Sequence, residues 1–215
     1  MVLIENAVIA AAGYGSRLGK GLPKCMVKIG GGKLVLDYII LALRDYIKNI
    51  VIVVGYKGDI VEQYCKENYP FIKVIYNASY AQTNTAYSMA LGAQNMQGKC
   101  LFLDADLLFT KENIHLLLER AQQEKVILGV TTNITTNPVY VDVDDSNILN
   151  FSRDIVTKYE WANIFCADAK ILDSANNFVY EELQKYPNLK YHDINLFEID
   201  TIEDLEKAKK HFDLL

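Results

Sequence analysis

The segment NAVIAAAGYGSRLGKGLPK, residues 6–24, joins a short apolar run to a glycine-rich loop and ends in a Pro-Lys pair. The apolar run indicates a buried β-strand. Gly13 and Gly15 let backbone N–H groups approach a ligand, because glycine has no side chain and accepts a positive φ. Arg17 and Lys24 can add charge-assisted hydrogen bonds. The segment therefore predicts a phosphate site at the carboxyl end of a first strand.

Strand and helix patterns alternate after this segment. Apolar strand-like runs fall at 50–55, 72–77 and 99–106, and amphipathic stretches at 34–47, 58–68 and 84–96. This spacing predicts parallel βαβ units in a doubly wound sheet. The second half has shorter strand-like runs, a hairpin signal at 144–147 (Asp-Asp-Ser-Asn), and helical patterns at about 168–186 and 201–211. The predicted fold class is α/β, with a mostly parallel mixed sheet flanked by helices and a small antiparallel excursion.

Length and composition restrict the possible functions. The length of 215 residues is typical of one domain, which we expect to span 1–215. Hydrophobic residues make up 51% and charged residues 23% of the chain, a composition typical of a globular protein. A net charge of −5 argues against a nucleic-acid binder with a broad basic face. No apolar run reaches the ~18 residues of a membrane span. Four scattered cysteines without a secretion signal predict reduced thiols in a cytoplasmic protein, and three isolated histidines argue against zinc.

Two common phosphate motifs fit the loop badly. A Walker A loop needs Ser or Thr after its Gly-Lys pair, whereas Gly21 follows Lys20 here. A dinucleotide fingerprint needs GxGxxG, but Gly13, Gly15 and Gly19 are spaced as GxGxxxG, and no acid ends the second strand pattern. A loop that only turns the chain stays open as an alternative, although it gives its basic residues no packing role.

Three aspartates follow apolar runs. Asp104 and Asp106 close the run CLFLDAD, where carboxylates at a strand end could hold a hard cation beside a phosphate, or could form a solvated turn. Asp200 precedes Thr201, a good helix N-cap with Asp204 three residues on. Asp200 could therefore act in a site or could be stabilised by the helix dipole alone.

The loop resembles the signature of nucleotidyltransferases that activate phosphorylated sugars or small alcohols, namely G-x-G-[ST]-R followed by P-K. The resemblance continues through PKCMVKIGGGKLVLDYIILAL and IVIVVGYKGDIVEQY to FEIDTIEDLEKAKK, so it covers nearly the whole chain. It implies a Rossmann-like fold and transfer of a nucleotidyl group from a nucleoside triphosphate, with magnesium as cofactor and release of pyrophosphate. The short stretch between Arg17 and Pro23 is more like compact cytidylyltransferases, including those that use phosphocholine.

The resemblance assigns roles to residues. Lys24 and Arg17 would be catalytic, and Asp106 and Asp200 would bind the metal. The nucleotide would contact Ala11, Ala12, Gly13, Gly15, Ser16, Arg17, Lys24, Gln82, Thr83, Asn84 and Asp104. The acceptor would lie in the mixed half, near Arg153, Lys158, Glu160, Trp161 and Asn163, with Arg153, Glu160 and Trp161 as its contacts. A lone tryptophan is more often a core residue, so the role of Trp161 stays open.

The expected function is a magnesium-dependent cytidylyltransferase that transfers CMP from CTP to a phosphorylated small alcohol, phosphonate or sugar phosphate for cell-surface polymers. A uridylyl- or thymidylyltransferase acting on sugar 1-phosphates is the close alternative. A nucleotide-binding regulatory module without turnover is another class, and the glycine spacing disfavours an NAD-dependent dehydrogenase. The expected partners are small molecules and neither nucleic acid nor membrane, and a homodimer is one assembly the sequence allows.

Overall fold

The structure is a computed structural model that describes residues 4–15, 21–29, 31–173 and 177–212. Its strands are β1 (Asn6–Ala11), β2 (Asn49–Val54), β3 (Lys73–Tyr76), β4 (Lys99–Asp104), β5 (Leu107–Phe109), β6 (Ile127–Thr131), β7 (Tyr140–Asp144), β8 (Asn147–Ser152), β9 (Tyr159–Asp168), β10 (Lys190–Asp193) and β11 (Leu196–Glu198). Its α-helices are α1 (Val35–Leu43), α2 (Gly58–Asn68), α3 (Thr85–Ala93), α4 (Lys111–Ala121), α5 (Val179–Leu183) and α6 (Ile202–Phe212). A short 3-10 helix covers Lys24–Met26.

Nine strands form one sheet in the order β3-β2-β1-β4-β9-β6-β10-β8-β7. Parallel pairing joins β1 to β2 and β4, β2 to β3, and β6 to β10. Antiparallel pairing joins β9 to β4 and β6, and β8 to β7 and β10. The prediction of a mostly parallel mixed sheet with an antiparallel excursion is confirmed. The carboxyl ends of β1 and β4 lie side by side, which places the glycine-rich loop next to Asp104.

Two apolar cores cover the two faces of this sheet. Alternation along β1 sends Ile9 into one core and Val8 into the other. Buried residues of α1, α2, α4 and α6 belong to the core around Ile9. Buried residues of α3 and α5 belong to the core around Val8. The helices therefore flank the sheet on both sides, as the alternating sequence pattern predicted.

The hairpin prediction is confirmed, and one helix prediction is wrong. β7 and β8 pair across a turn in which Asp145 has a φ of 41°. Among the described residues of the helix expected over about 168–186, only the short α5 is helical, and the first of them, Asp168, still pairs in β9 with Lys99 of β4. The Asp168 side chain then accepts a hydrogen bond from the Lys170 amide and favours a turn there.

All four cysteines are buried and unbridged. Within the described ranges, no helix is long and apolar enough to span a bilayer.

Candidate functional site

Two clefts open beyond the carboxyl ends of β1 and β4 and meet at one lysine. The first, about 220 Å³ in volume, lies beside the glycine-rich loop and is called the loop cleft. The second, about 310 Å³, lies between β9 and the segment after β11 and is called the acid cleft. Lys24, Thr85, Asp104 and Asp106 line both. Molecules bound in the two clefts could therefore meet at these four side chains.

Lys24 joins the two predicted metal ligands. Its Nζ lies 2.5 Å from Oδ2 of Asp106 and 2.7 Å from Oδ1 of Asp200, and both aspartates are buried. Burial lowers the pKa of the Lys24 ammonium, but the charges and hydrogen bonds of the two carboxylates outweigh it and hold that pKa well above its ordinary value. Lys24 is thus a fixed positive charge at the junction of the clefts.

Two carboxylate oxygens at this junction are short of partners. Oδ1 of Asp104 and Oδ1 of Asp106 are buried and accept no hydrogen bond from the residues the structure describes. Burial, and after it the charge of Asp106, raises the pKa of Asp104 well above its ordinary range, while Lys24 opposes the rise. Buried polar atoms normally have partners, so these oxygens suit a cation or a donor brought by a ligand.

The arrangement of Asp106 and Asp200 suits a hard divalent cation. Magnesium is usually held by one or two carboxylates, while waters and substrate phosphates complete its coordination. These two carboxylates already converge on a single positive charge. The described ranges contain no group of three or more metal-binding side chains. A site completed by phosphate oxygens does not need a third protein ligand.

The two-stranded sheet of β5 and β11 brings the aspartates together. Asp106 lies in the turn between β4 and β5, and the Ile199 amide donates to its carbonyl oxygen at 2.8 Å. Asp200 follows Ile199 directly. The helix signal after it is also as predicted, because Thr201 Oγ1 accepts from the Asp204 amide at 3.2 Å and the Thr201 amide donates to Asp204 Oδ2 at 2.8 Å. Neither hydrogen bond of this cap uses the Asp200 side chain.

The glycine-rich loop lies against Lys24. Ala11, Ala12, Gly13 and Gly15 all line the loop cleft. Gly15 has a φ of +59°, and a Cβ there would lie 3.0 Å from Cγ of Lys24. A side chain at position 15 would therefore strain the backbone and press on the lysine. Ser16 and Arg17, predicted to bind nucleotide, lie outside the described residues.

The polar segment before α3 forms another wall of the loop cleft. Thr83 and Asn84 line it, whereas Gln82 is exposed and is not part of the lining. Asn77 Nδ2 donates to Thr83 Oγ1 at 2.9 Å and fixes that hydroxyl. Sequence reasoning missed Tyr80, Thr85 and Ser88, which also line the cleft. Their position beside the predicted base-reading residues was the available signal for them.

The predicted acceptor residues lie in the acid cleft, with one exception. Arg153 reaches it with its guanidinium 5.6 Å from the ring centroids of both Phe178 and Tyr180. Trp161 borders the cleft but is 3% exposed, so it is mainly a core residue. Lys158 is the exception and donates to the Tyr159 hydroxyl at 2.9 Å.

Glu160 is engaged by the loop after β6. Its two carboxylate oxygens accept hydrogen bonds of 2.7 Å from the amide and the hydroxyl of Thr135. Burial raises the pKa of Glu160, and these two hydrogen bonds oppose the rise. Glu160 therefore anchors Thr135, which lines the cleft beside it.

Sequence reasoning missed Glu198, which also lines the acid cleft. Its Oε2 accepts a 2.8 Å hydrogen bond from Nδ2 of Asn163. Burial, with the nearby charge of Asp106, raises the pKa of Glu198 well above its ordinary range. The signal was present in the sequence, since Glu198 lies two residues before Asp200 at the end of an apolar strand.

The comparisons with known proteins agree with this geometry. A sequence profile of the MobA-like NTP transferase domain matches residues 7–150, which carry the glycine-rich loop, Lys24, Asp104 and Asp106. The chain belongs to the MobA-like NTP transferase family. The resemblance noted from the loop and its Pro-Lys pair is thereby confirmed.

Two curated relatives show how far the similarity extends. CTP:phosphoglutamine cytidylyltransferase of Campylobacter jejuni is 35% identical over 113 residues, which is 51% of this chain and 44% of that protein. The bifunctional IPC transferase and DIPP synthase of Aquifex aeolicus is 28% identical over 230 residues, 97% of this chain and 52% of that protein. The chain therefore spans about half the length of the curated relatives it matches.

A solved structure supports the fold. The inositol-1-phosphate CTP transferase from T. maritima superposes with a TM-score of 0.83, covering 99% of this chain and 96% of that one at 20% identity. The Rossmann-like α/β fold of a nucleotidyltransferase is thus confirmed for nearly the whole chain.

Proposed function

We propose that this family member is a magnesium-dependent cytidylyltransferase that transfers CMP from CTP to a phosphorylated small molecule and releases pyrophosphate. The observation that carries the proposal is the Lys24 ammonium, which lies between the carboxylates of Asp106 and Asp200 where the two clefts meet. The nucleotide would occupy the loop cleft and the acceptor the acid cleft. The chain would act as one domain.

The reaction requires two anions to come together. A phosphate oxygen of the acceptor attacks the α-phosphorus of the nucleotide, the bond from that phosphorus to the bridging oxygen breaks, and pyrophosphate leaves with the electron pair. Lys24 lines both clefts, so it would face both phosphates and would stabilise the charge that collects on the α-phosphate. A phosphate dianion is already a nucleophile near neutral pH, so the reaction needs no general base.

Asp106 and Asp200 are the residues that would hold magnesium. When bound there, the ion would neutralise phosphate charge and orient the two reactants. The unpartnered Oδ1 of Asp106 supports this role, because a buried carboxylate oxygen without a donor, on a residue that lines both clefts, suits a hard cation. Asp104 lines both clefts as well and would contact the nucleotide beside this pair.

Two comparisons support CTP as the nucleotide. The Campylobacter jejuni relative and the T. maritima structural neighbour are both named for CTP. Their names give different acceptors, phosphoglutamine and inositol 1-phosphate, so the acceptor of this chain is taken as a phosphorylated small molecule whose identity an assay must supply. Arg153, Glu160 and Trp161 line the cleft in which it would bind.

Release of pyrophosphate tests the proposal directly. The protein with magnesium would be incubated with CTP, UTP, ATP, GTP or dTTP, each combined with phosphocholine, glutamine phosphate, inositol 1-phosphate or glucose 1-phosphate. Turnover with CTP and one acceptor is expected. Turnover only with UTP or dTTP and a sugar 1-phosphate would replace cytidylyl transfer with the uridylyl or thymidylyl alternative. Nucleotide binding without turnover would favour a regulatory module.

The cellular setting is part of the same proposal. A cytidylyltransferase would meet its CTP in the cytoplasm, and four buried, unbridged cysteines are consistent with a reducing compartment. The product would supply an activated group for a cell-surface polymer. Size-exclusion chromatography with light scattering would decide between a monomer and the homodimer that the sequence allows.

A further inference from the structure

A buried asparagine directly after β3 holds two hydroxyl groups of the loop cleft. Asn77 follows Tyr76, the last residue of β3, and is 2% exposed. Its Nδ2 donates to Oγ1 of Thr83 at 2.9 Å and to Oγ of Ser88 at 3.0 Å. Thr83 and Ser88 both line the loop cleft, whereas Asn77 is not part of its lining. Any influence of Asn77 on a ligand in this cleft is therefore exerted through these two hydroxyls.

The backbone fixes the orientation of the Asn77 side-chain amide. The Ser79 backbone amide can only donate, and it donates to Oδ1 of Asn77 at 2.9 Å. The other terminal atom of the side chain is therefore the NH2 group, and its two protons go to the hydroxyls of Thr83 and Ser88. A buried amide whose oxygen and two protons are all engaged is held in one orientation.

The turn after β3 does not need this NH2 group. An Asx turn uses only the side-chain oxygen, which an aspartate would supply equally well. The pairing of β3 with β2 is continued by the backbone, since the Asn77 amide donates to the carbonyl oxygen of Val54 at 2.8 Å. The two hydrogen bonds donated by Nδ2 are thus what distinguishes asparagine from aspartate at this position.

These hydrogen bonds set the polarity of the two hydroxyls. A hydroxyl has one proton and two lone pairs. Thr83 Oγ1 accepts from Asn77 and donates its own proton to the carbonyl oxygen of Ser79 at 3.0 Å, so its remaining lone pair can only accept. Ser88 Oγ also accepts from Asn77 and keeps its proton to donate. An acceptor and a donor therefore lie side by side, both within 3.0 Å of the same nitrogen.

This pair is complementary to one kind of pyrimidine edge. Cytosine has an amino group at C4, which donates, next to N3, which accepts, whereas uracil and thymine have a carbonyl group at C4 and an N–H at N3. Thr83 would accept from the amino group and Ser88 would donate to N3. Against uracil, the lone pair of Thr83 would meet those of O4 and stay without a donor, at the cost of an unmade hydrogen bond.

We propose that Asn77 is a positioning residue for base selection, which holds Thr83 as an acceptor and so favours a pyrimidine with an amino group over one with a carbonyl group at C4. The inference rests on the proposed function, in that the base of the nucleotide lies against the segment before α3 in the loop cleft. Asn77 itself touches neither the base nor the reacting atoms.

Asn77→Asp tests the proposal, with Asn49→Asp as the matched control. Aspartate keeps the oxygen that accepts from Ser79 but donates to neither hydroxyl, and it would take the proton of Ser88. Asn49 is exposed at the other end of β2, where its Nδ2 donates to Oδ1 of Asn6. Calorimetric titration with CTP and with UTP, with magnesium and without acceptor, gives the two dissociation constants for each protein.

The ratio of these two constants is the decisive readout, because the added charge of Asn77→Asp weakens the binding of both nucleotides alike. The wild type and Asn49→Asp should bind CTP at least tenfold more tightly than UTP, roughly the factor that one hydrogen bond and its unmade counterpart provide. Asn77→Asp should lose most of this ratio. Equal losses of affinity for both nucleotides, with a lower Tm, would make Asn77 a structural residue and overturn the inference.

Variants of Thr83 test the same inference if Asn77→Asp does not fold. Thr83 is half-buried, so Thr83→Val should fold, and it should lose the preference for CTP because valine cannot accept a hydrogen bond. Thr83→Ser should keep the preference. An unchanged ratio in Thr83→Val, or a wild type that binds UTP as tightly as CTP, would overturn the inference.

The binding measurements separate this inference from the proposed function. Selective binding of CTP that is lost in Asn77→Asp, without release of pyrophosphate in any assay, would support the role of Asn77 and reject the proposed transfer. Turnover of CTP with the same preference over UTP in Asn77→Asp as in the wild type would support the transfer and reject the role of Asn77.

Discussion

Nδ2 of Asn163 lies 2.8 Å from Oε2 of Glu198, and both side chains line the acid cleft. The hydrogen bond depends on an irregular backbone, because Asn163 has a φ of 52° within β9 and the pairing of β9 with β6 shifts register beside it. Bulges of this kind re-aim a side chain. Gly129 faces the shift, and a Cβ there would lie 2.5 Å from Cγ2 of Ile164. β9 thus departs from regular pairing where Asn163 faces the cleft.

Asn163→Gly should distinguish the contribution of the Asn163 side-chain amide from the cost of its positive φ. Glycine accepts the positive φ but leaves Glu198 without its donor, so these two effects on the Tm oppose each other, while the KM for the acceptor should rise about tenfold through loss of one polar contact. Asn163→Ala keeps the strain and should lose about 1 kcal/mol of unfolding free energy as well. Steady-state kinetics and denaturant unfolding of both variants check this. An unchanged acceptor KM in both would remove Asn163 from acceptor binding.

Lys24→Met should abolish most of the turnover. It removes the only positive side chain that lines both clefts in the described part of the chain, and loss of one such charge-stabilising group costs roughly 10²–10³ in kcat. The variant should keep its far-UV circular dichroism spectrum at 25 °C, although its Tm should fall because Asp106 and Asp200 lose their partner. Turnover near that of the wild type would exclude Lys24 from the chemistry.

The parallel half of the fold could be predicted because its signals are local. Apolar runs that alternate with amphipathic stretches specify βαβ units, and the glycine-rich loop then falls at a known edge of the sheet. Lys24, Asp106 and Asp200 were found by motif and resemblance, and the structure brings all three into contact. Lys24 links the two aspartates, and no spacing along the chain could have predicted that link.

The mixed half was harder to predict for physical reasons. In the sequence, β9 is an apolar run. Its partners β4 and β6 are remote in sequence, so the local pattern does not show where the strand ends. Glu198 was missed although it stands two residues before Asp200 at a strand end, because its burial and the hydrogen bond that it accepts from Asn163 follow only from the fold. Glu160 was found, but the two hydrogen bonds from Thr135 that occupy it come from a loop with no sequence signature.

Alkaline pH should destabilise the protein through two tyrosines. The hydroxyls of Tyr64 and Tyr69 donate to Oδ1 of Asp37 at 2.8 and 2.7 Å. Burial, and then the hydrogen bond to Asp37, raises the pKa of Tyr64 to about 12, and the same causes raise the pKa of Tyr69. The folded state therefore holds these protons more tightly than the unfolded state, whose tyrosines ionise near pH ~10. The stabilisation is complete below that pH and is lost as pH rises towards 12.

Urea unfolding should be measured between pH 9 and pH 12. The free energy of unfolding should begin to fall near the pH at which tyrosines of the unfolded chain ionise, roughly pH 10, and should keep falling until Tyr64 and Tyr69 ionise in the folded state. The double variant Tyr64→Phe with Tyr69→Phe should have a flatter dependence on pH, because it has no protons to lose there. Tyr87→Phe, at a tyrosine that is 39% exposed, is the control and should follow the wild type. Parallel curves for all three proteins would contradict the assignment.

Asp200→Asn should change mainly the activity and Thr201→Ala mainly the stability, although the two residues are adjacent. Asp200 contacts Lys24, whereas Thr201 forms the cap of α6 with Asp204. Asp200→Asn should weaken the dependence of turnover on magnesium, so that more of the ion is needed for half-maximal rate, because an amide is a poorer ligand than a carboxylate for a hard cation. Thr201→Ala should lose about 1 kcal/mol of unfolding free energy and roughly 2–4 °C in Tm with little change in turnover.

Magnesium titrations and calorimetry on the two variants distinguish the effect on activity from the effect on stability. If Asp200→Asn changed only the Tm, Asp200 would belong to the helix terminus and not to the reaction.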